Sequence, residues 1–373
     1  MIKNTKSLQE NIYNHRKILH NIAEVGRKEF KTAKYIRDYL DSINVKCDTY
    51  LTTATIGILK GKIGKKTIAF RADIDGLVTE EGVKHLCGHD GHTSILLGLV
   101  EFINNNLDIL NDNIVFIFQP AEEGPGGAED LIKEGIIDKY KIDEIYGLHI
   151  YPEVKEGYIG LAPGYFMAQA GDFNIDIISK SGHGAMPQNG IDGILIASNL
   201  VNILQSIVSR NVSPLDNAVL TVGKINGGTR RNIIAENVRL EGTLRTFDPK
   251  VYDSMKTRMK EICQGVEKSY NCKINLNIKD DYPSVNNNKH LYEEFVDALG
   301  EEKVIKLAPM MISEDFSYYQ REVPGLFFML GSRDEEKGFV NGLHNLNFNF
   351  NEGVLLNGLD SYIQLLKYKN SLE

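Results

Sequence analysis

The residues best able to do chemistry in this 373-residue chain stand where apolar, strand-like runs end or where a helix begins. In open α/β sheets, the loops beyond the carboxyl ends of the strands bring side chains from separate parts of the chain to one point. The candidates are Asp73 and Asp75 of RADID, Cys87, His89, Asp90 and His92 of CGHDGH, Glu122 and Glu123 of FQPAEEGPGG, His149 of GLHIYP, and His344 of GLHN.

Adjacent glutamates usually lie on a solvated face, and a lone histidine after a strand is more often a hydrogen-bonded structural residue. The pair Glu122 and Glu123 differs from that pattern, because it follows an almost wholly apolar strand and Pro120. The glycine-rich stretch 124–127 also provides no helix on which the pair could be solvated. Buried carboxylates require partners, so the pair is a candidate for function.

Cysteine, histidine and glutamate side chains from separate loops form a ligand set suited to zinc or manganese, and a spare carboxylate can act as a base. A catalytic site for one metal needs three protein ligands and an open position. Enough candidates exist for two metals that share a bridge: Cys87, His89, Glu123, His149 and His344. This set predicts a dinuclear hydrolase. The alternative, Cys87 as a nucleophile with one histidine as its base, leaves the glutamate pair without a role.

Short apolar strands alternate with helices along much of the chain, as in the strands 67–70 and 114–118 on either side of a helix at 93–105. Strands that are apolar on both faces predict an α/β fold with a mostly parallel central sheet and helices on both faces. From residue 171 the order strand, helix, two strands, helix, strand predicts an inserted α+β, ferredoxin-like domain. We therefore expect a large domain of residues 1–170 and 281–373, interrupted by a smaller domain of residues 171–280.

Composition excludes several classes of protein. Lysine and arginine number 42 against 50 aspartates and glutamates, a net charge of −8, and the basic residues are scattered, so no nucleic-acid partner is expected. The longest apolar runs, such as 95–100, are far below the roughly 20 residues that cross a bilayer, and the N-terminus lacks a signal-peptide core. We expect a cytoplasmic protein without a membrane partner. Its four irregularly spaced cysteines predict no disulfide framework.

Eight motifs occur in order over nearly the whole chain: RADIDGL, CGHDGH, FQPAEEGPGGAE, GLHIYP, SGHGAMP, NIIAENVRLEGTLRTFD, SEDFSYY and GLHN. Taken together, they resemble the metal-dependent N-acyl-amino-acid amidohydrolases, which include hippurate hydrolases, auxin-conjugate hydrolases and N-acetyldiaminopimelate deacetylases. The resemblance implies hydrolysis of the amide bond of an N-acetyl or N-aroyl amino acid by a metal-activated water. It also implies that residues 171–280 form a lid through which the chain forms a homodimer, and that the larger domain is catalytic.

The resemblance assigns roles residue by residue. Two divalent ions per subunit, manganese or zinc with cobalt or nickel as alternatives, would be bound by Cys87, His89, Glu123, His149 and His344. Glu122 would be the general base, and His183 would reach the substrate carbonyl, often in the partner subunit's site. Asn232 and Arg245 would contact the carboxylate of this small-molecule substrate. A plain loop at His183 and a surface position at Arg245 remain alternatives.

Two departures from the family pattern stand out. The segment VTEEGVKHL, between Leu77 and Cys87, is short, so part of the pocket rim is missing or rebuilt, and Ala23 replaces a usual proline at a helix end. NIIAE and PAEEGPGGAE favour the N-acetyldiaminopimelate branch, whereas SGHGAMP and SEDFSYY favour the hippurate-like branch. A dipeptidase with the same dinuclear site is an alternative. A non-catalytic, metal-loaded binding protein is another, although it would gain nothing from a buried Glu122 that binds no metal.

Overall fold

The computed structural model describes residues 5–373, which form two compact units. The large unit runs to Gly164 and also contains Asn286–Ala308 and Asp315–Glu373. The small unit consists of Tyr165–Val285 and Pro309–Glu314. The small unit is thus an insertion, with junctions a few residues from the expected ones, and it also takes in the short segment before Asp315.

The secondary structure of residues 5–373 comprises strands, α-helices and a few shorter turns. The strands are β1 (Cys47–Tyr50), β2 (Ala54–Leu59), β3 (Thr67–Asp73), β4 (Leu77–Thr79), β5 (Gly82–Lys84), β6 (Asn113–Gln119), β7 (Glu144–Lys155), β8 (Ile159–Leu161), β9 (Gly164–Met167), β10 (Gln169–Ile178), β11 (Gly182–His183), β12 (Ala218–Gly227), β13 (Ile233–Ile234), β14 (Asn237–Thr246), β15 (Lys273–Asp280), β16 (Val285–Asn287), β17 (Val304–Lys306) and β18 (Gly325–Arg333). The α-helices are α1 (Thr5–His20), α2 (Phe30–Ser42), α3 (His89–Asn104), α4 (Ala128–Lys133), α5 (Ile136–Tyr140), α6 (Gly193–Ser206), α7 (Pro249–Tyr270), α8 (Lys289–Leu299), α9 (Tyr319–Glu322) and α10 (Gly353–Tyr368). Single 3-10 or π turns lie at Leu107–Ile109, Pro187–Asn189, Ile207–Asn211, Glu301–Lys303 and Asp315–Tyr318.

The large unit is built on an eight-stranded sheet in the order β1-β2-β6-β3-β7-β18-β8-β17. Its centre is parallel, because β3 pairs in parallel with β6 and β7, and β7 pairs in parallel with β18. All seven residues of β3 are buried, which explains why its residues 68–70 are apolar on both faces. Buried side chains from the sheet and from α1, α2, α3, α8 and α10 form one core. The predicted α/β fold class is confirmed.

The small unit is a four-stranded antiparallel sheet in the order β12-β14-β10-β15, and α6 and α7 contribute to its core. Alternate residues of β10, such as Ile175, are buried against the helices. Both helices begin at an aspartate whose side chain accepts backbone N–H groups: Asp192 before α6 and Asp248 before α7. Chain order and sheet order together are those of the predicted ferredoxin-like domain.

The short segment after Leu77 forms a hairpin of its own. Strands β4 and β5 pair only with each other, and the Thr79 hydroxyl donates to the Gly82 carbonyl at 2.7 Å while it accepts the Glu81 N–H at 3.1 Å. Val78 on this hairpin is exposed. The short segment therefore folds as a tight hairpin.

One helical stretch in the described residues, Gly193–Asn211, is long and apolar enough to cross a membrane by length and composition. A third of it is buried, and those positions, including Leu200 and Leu204, belong to the core of the small unit. Core helices pass the same test, so this stretch by itself does not indicate a membrane partner.

Candidate active site

The candidate site of the large unit lies where the parallel strands β3 and β6 end, next to the part of β7 just beyond its pairing with β3. Asp73 is the last residue of β3, the pair Glu122 and Glu123 follows β6, and His149 lies in β7. Helix α3 begins at His89, four positions before the predicted start, because Gly88 adopts the left-handed conformation and ends the preceding segment. The CGHDGH motif is therefore itself the helix start.

The structure brings all five predicted metal ligands together. The Cys87 sulfur lies 3.5 Å from His149 Nε2 and 3.3 Å from His344 Nε2. Glu123 Oε1 lies 3.9 Å from His89 Nε2 and 3.5 Å from His344 Nε2. The donor atoms fall into two triplets, each within 4.8 Å, that share the sulfur: Cys87, His89 and His149, and Cys87, Glu123 and His344. These residues would hold two divalent cations, with Cys87 belonging to both donor triplets.

Hydrogen bonds fix how the buried histidine rings face the site. His89 Nδ1 donates to the Asp75 carbonyl at 3.0 Å, and His149 Nδ1 donates to the Ile150 carbonyl at 2.8 Å. Each ring therefore points its Nε2 toward the cluster. A hydrogen bond donated by the other ring nitrogen is the usual support of a metal-binding histidine. Burial lowers the pKa of His149 to about 3, which keeps this ring neutral. His89 Nε2 and Glu123 Oε1 are buried without a hydrogen bond, and two such atoms side by side fit a bound cation.

The electrostatics of the cluster favour a cation as well. Burial by itself would lower the pKa of His89, but the carboxylates of Asp73 and Asp75 raise it to about 10. Burial, and then the charge of Glu123, raise the pKa of the Cys87 thiol well above its usual value. The thiol can therefore ionise at neutral pH only when a cation compensates the nearby carboxylates.

His92 belongs to the same motif but does not face the cluster with a free nitrogen. Its Nδ1 donates to Asp73 Oδ1 at 2.6 Å, and its Nε2 accepts the backbone N–H of Ile150 at 2.8 Å. Both ring nitrogens are thus used for structure. This agrees with the prediction, which placed His89 but not His92 among the ligands.

Glu122, the predicted base, is buried beside the ligands. One of its carboxylate oxygens lies within 4.8 Å of donor atoms of His89 and Glu123. A carboxylate next to the ligands, with five other donors available for metal, is placed where a base would be needed.

The other predicted residues lie in the small unit. His183 is exposed on β11, opposite Ile233 of β13, and its Nδ1 accepts the Ala185 N–H at 3.1 Å. The carbonyl of Asn232 accepts the Gly184 N–H at 2.9 Å, so His183 and Asn232 lie on adjoining segments. Arg245 is partly buried on β14 and donates to the Thr243 hydroxyl and to the Leu244 carbonyl.

Several charged residues behind the cluster escaped sequence analysis. Arg71 is fully buried and pairs with Asp73 at 2.8 Å and with Asp315 at 2.7 Å. Glu29 is likewise buried and accepts the Ala121 N–H at 2.9 Å. An arginine inside the apolar strand IAFRAD is the signal that could have revealed the first group, because a buried guanidinium needs carboxylate partners.

Comparison with known proteins agrees with this site. The family model of peptidase family M20/M25/M40 matches residues 69–368. An N-acetyldiaminopimelate deacetylase of Bacillus cytotoxicus (strain DSM 22905 / CIP 110041 / 391-98 / NVH 391-98) is 39% identical over 373 residues, covering 95% of this chain and 97% of that protein.

Two solved structures are similar over the full length. A crystal structure from methicillin-resistant Staphylococcus aureus has 30% identity and a TM-score of 0.92, and the match covers 100% of this chain and 99% of that one. The Bacillus subtilis YXEP protein, described as a dinuclear metal-binding peptidase of the M20 family, has 27% identity and a TM-score of 0.83, with 96% and 98% covered. The chain belongs to peptidase family M20/M25/M40, and it is the metal-dependent amidohydrolase that its motifs predicted.

Proposed function

We propose that this enzyme hydrolyses the amide bond of N-acyl amino acids at a dinuclear metal site in the large unit. The observation that carries the proposal is the pair of donor triplets that share Cys87, with the buried Glu122 beside them. Manganese or zinc is the expected metal, because a mixed set of thiolate, imidazole and carboxylate ligands suits these ions.

The proposed chemistry divides the work between the metals and the side chains. When bound, the cations would polarise the amide carbonyl and acidify a water molecule. Glu122 would take the proton of that water and later deliver it to the nitrogen of the leaving amine. The Asp75 carbonyl would fix the ring of His89, and the Ile150 carbonyl would fix the ring of His149. Neither ligand would then need to reorient during turnover.

The small unit would supply the contacts that recognise the substrate. We assign His183 to the developing oxyanion at the carbonyl, and Asn232 and Arg245 to the α-carboxylate of the amino acid. Support for Arg245 comes from its planar fork of N–H donors, which suits a carboxylate. The side chain is partly buried on β14, where Nη1 donates to the Thr243 hydroxyl and to the Leu244 carbonyl and so fixes the guanidinium. Support for His183 and Asn232 comes from their adjoining segments, which a single substrate could contact.

Within this substrate class, N-acetyldiaminopimelate is the first candidate, because the Bacillus cytotoxicus relative that carries this activity in its name is 39% identical over almost the whole chain. N-aroyl amino acids such as hippurate, and dipeptides, would use the same metal site with a different acyl pocket. We further propose that the enzyme works in the cytoplasm, because all four cysteines are free thiols and a thiolate ligand requires a reducing compartment.

A substrate panel on metal-reconstituted protein tests the proposal. It should contain N-acetyldiaminopimelate, other N-acetyl amino acids, hippurate and dipeptides, with release of the free amine as the measured quantity. Glu122→Gln protein loaded with the same metal is the control for contaminating activity. Turnover of dipeptides alone would replace the proposal with a dipeptidase. Binding of all these compounds without turnover would indicate a metal-loaded binding protein.

We also propose a homodimer formed through the small unit. The apolar side chains of Ile194, Leu195 and Ile203 on α6 are exposed, and the neighbouring edge strand β12 is largely exposed too. Exposed apolar helices and open sheet edges are typical of surfaces that a partner covers. Leu195→Glu should therefore shift the mass in solution from dimer to monomer, whereas Leu215→Glu, at an exposed position of the same unit, should leave the dimer intact. If the wild-type protein were a monomer at working concentration, the proposal would be contradicted.

A further inference from the structure

The two glutamates of the site lie on a loop whose backbone N–H groups donate to side chains from other parts of the chain. This segment, residues 120–128, runs from the end of β6 to the first residue of α4 and will be called the Glu loop. Ala121, directly before Glu122, has a positive φ of 61°, an unfavourable conformation for alanine that needs support from its surroundings. Buried carboxylates from three other chain segments accept its N–H groups: Glu29 that of Ala121 (2.9 Å), Asp75 that of Glu123 (3.0 Å), and Asp315 those of Gly127 (2.9 Å) and Ala128 (3.0 Å).

Asp315 has the densest set of partners among these carboxylates. Its Oδ1 accepts from Arg71 Nη2 at 2.7 Å and from Gln119 Nε2 at 2.9 Å. Its Oδ2 accepts from Gln119 Nε2 at 2.8 Å and from the two backbone N–H groups at the end of the Glu loop. Every one of these partners is a donor, so neither oxygen can be replaced by an amide NH2 without placing donor against donor.

The partners of Asp315 connect the Glu loop to the strands that carry the site. Arg71 Nη1 donates to Asp73 Oδ2 at 2.8 Å, at the end of β3, and Arg71 Nε donates to Gln119 Oε1 at 2.9 Å, at the end of β6. Arg71, Asp73 and Asp315 are all fully buried. A buried ion network contributes little net stability relative to apolar packing, so its position behind the two glutamates suggests that it fixes geometry.

We propose that Asp315 is a positioning residue for the Glu loop: its carboxylate fixes the end of the loop to Arg71 and Gln119 and so sets where Glu122 and Glu123 point. The proposal rests on the proposed function for the roles of base and ligand. It adds that those roles depend on a carboxylate contributed by the SEDFSYY segment. Asp315 of that segment lies 187 and 188 residues beyond the two backbone groups that it bonds.

Asp315→Asn tests the proposal, because it keeps the size of the side chain but removes its negative charge and replaces one acceptor oxygen with an NH2 donor. We expect affinity for Mn²⁺, measured by calorimetry, to fall about 10-fold to 100-fold, the usual cost of removing a support of a metal ligand. Hydrogen exchange of the peptide that covers the Glu loop should become faster. With N-acyl amino acid substrate, kcat should fall by a similar factor while KM stays within about threefold, since binding contacts lie elsewhere.

Glu101→Gln is the matched control. Glu101 is also a buried carboxylate of the large unit, but its partners are the neutral groups Asn11 Nδ2 and the Tyr39 hydroxyl, away from the site. Its loss of charge should leave Mn²⁺ affinity, loop exchange and kcat unchanged even if the melting temperature falls. Equal losses of metal affinity in both variants would mean that any buried charge matters, and would overturn the specific role of Asp315.

The readouts separate this inference from the proposed function. Wild-type metal affinity and loop exchange in folded Asp315→Asn would overturn the positioning role, whatever the substrate proves to be. Weaker metal binding and faster loop exchange in that variant, with no turnover of any panel substrate by wild-type protein, would support the positioning role and contradict the proposed function. If Asp315→Asn does not fold, Gln119→Met removes two contacts to Asp315 without a change of charge, and should give a smaller loss of Mn²⁺ affinity with faster loop exchange. Unchanged values in Gln119→Met would overturn the proposal.

Discussion

The two units differ in how they hold their candidate residues. In the large unit the proposed ligands Cys87, His89 and His149 are buried, Glu123 is partly buried and His344 is exposed. The rings of His89 and His149 are each fixed by a hydrogen bond from the far nitrogen. In the small unit His183 and Asn232 are exposed, and the hydrogen bonds described for these two segments are mainly those of the backbone. The cluster of possible metal donors is therefore formed within one unit, whereas the residues proposed to contact the substrate have exposed side chains at His183 and Asn232. Four predictions test this difference, from the largest expected effect to the smallest.

Removal of metal should abolish turnover, because the large unit supplies ligands and a base but no cation of its own. Prolonged chelation followed by Mn²⁺, Zn²⁺ or Co²⁺ should restore activity. At neutral pH the Cys87 thiol, whose pKa is raised, and His89, whose pKa is about 10, carry protons that a metal must displace. Affinity should therefore fall as the pH is lowered, and calorimetry in buffers of different ionisation enthalpy should detect proton release. Full turnover by protein shown to be metal-free would contradict the assignment.

Glu122→Gln should lower kcat by about 10² to 10⁴, the contribution of a positioned base, and should keep wild-type metal content. Glu123→Gln is the matched variant one residue away and should lose metal instead, because Glu123 Oε1 faces His89 and His344. Metal analysis and steady-state kinetics on both proteins measure the two effects. Reversed phenotypes would show that base and ligand have been exchanged within the pair.

His183→Ala should lower kcat by about 10² to 10³, the usual loss when one oxyanion donor is removed, without a change in metal content. Exposure of this side chain is consistent with action in the partner's site. Mixing His183→Ala with Glu122→Gln subunits, both nearly inactive, should then restore part of the activity after subunit exchange. Verified heterodimers that stay inactive would place His183 in the site of its own chain or outside catalysis.

Arg245→Ala should have the smallest effect, about 10-fold to 100-fold in kcat/KM on a substrate with a free α-carboxylate, since a charge-assisted hydrogen bond contributes roughly 1.5 to 3 kcal/mol. On the amidated substrate the same variant should lose much less, because the two changes remove one interaction. Steady-state kinetics of the wild-type protein and of Arg245→Ala, each on the acid and on the amide, complete this double-mutant cycle. Equal losses on acid and amide would assign Arg245 to the structure of β14.

Sequence patterns predicted most elements of the fold because their signals are local. The strand predicted at 67–70 is recognisable from its apolar run, and the small unit from the order of its strands and helices along the chain. The start of α3 was predicted at residue 93 but lies at His89, because apolar periodicity begins only after the polar first turn. The hairpin formed by β4 and β5 was not predicted, since three-residue strands carry almost no periodicity.

For the site, the residue types by themselves determined the chemistry: thiol, imidazole and carboxylate groups after strand ends predict a metal hydrolase, because few other functions use that combination. Tertiary structure alone decided which members face one another. His89, and not His92, was predicted as a ligand from its place in the motif, and the bonds of His92 to Asp73 and to the Ile150 N–H give a physical reason for that choice. The dependence of the Glu loop on Asp315 is absent from any local pattern, because its hydrogen bonds join segments far apart in the chain that folding alone brings together.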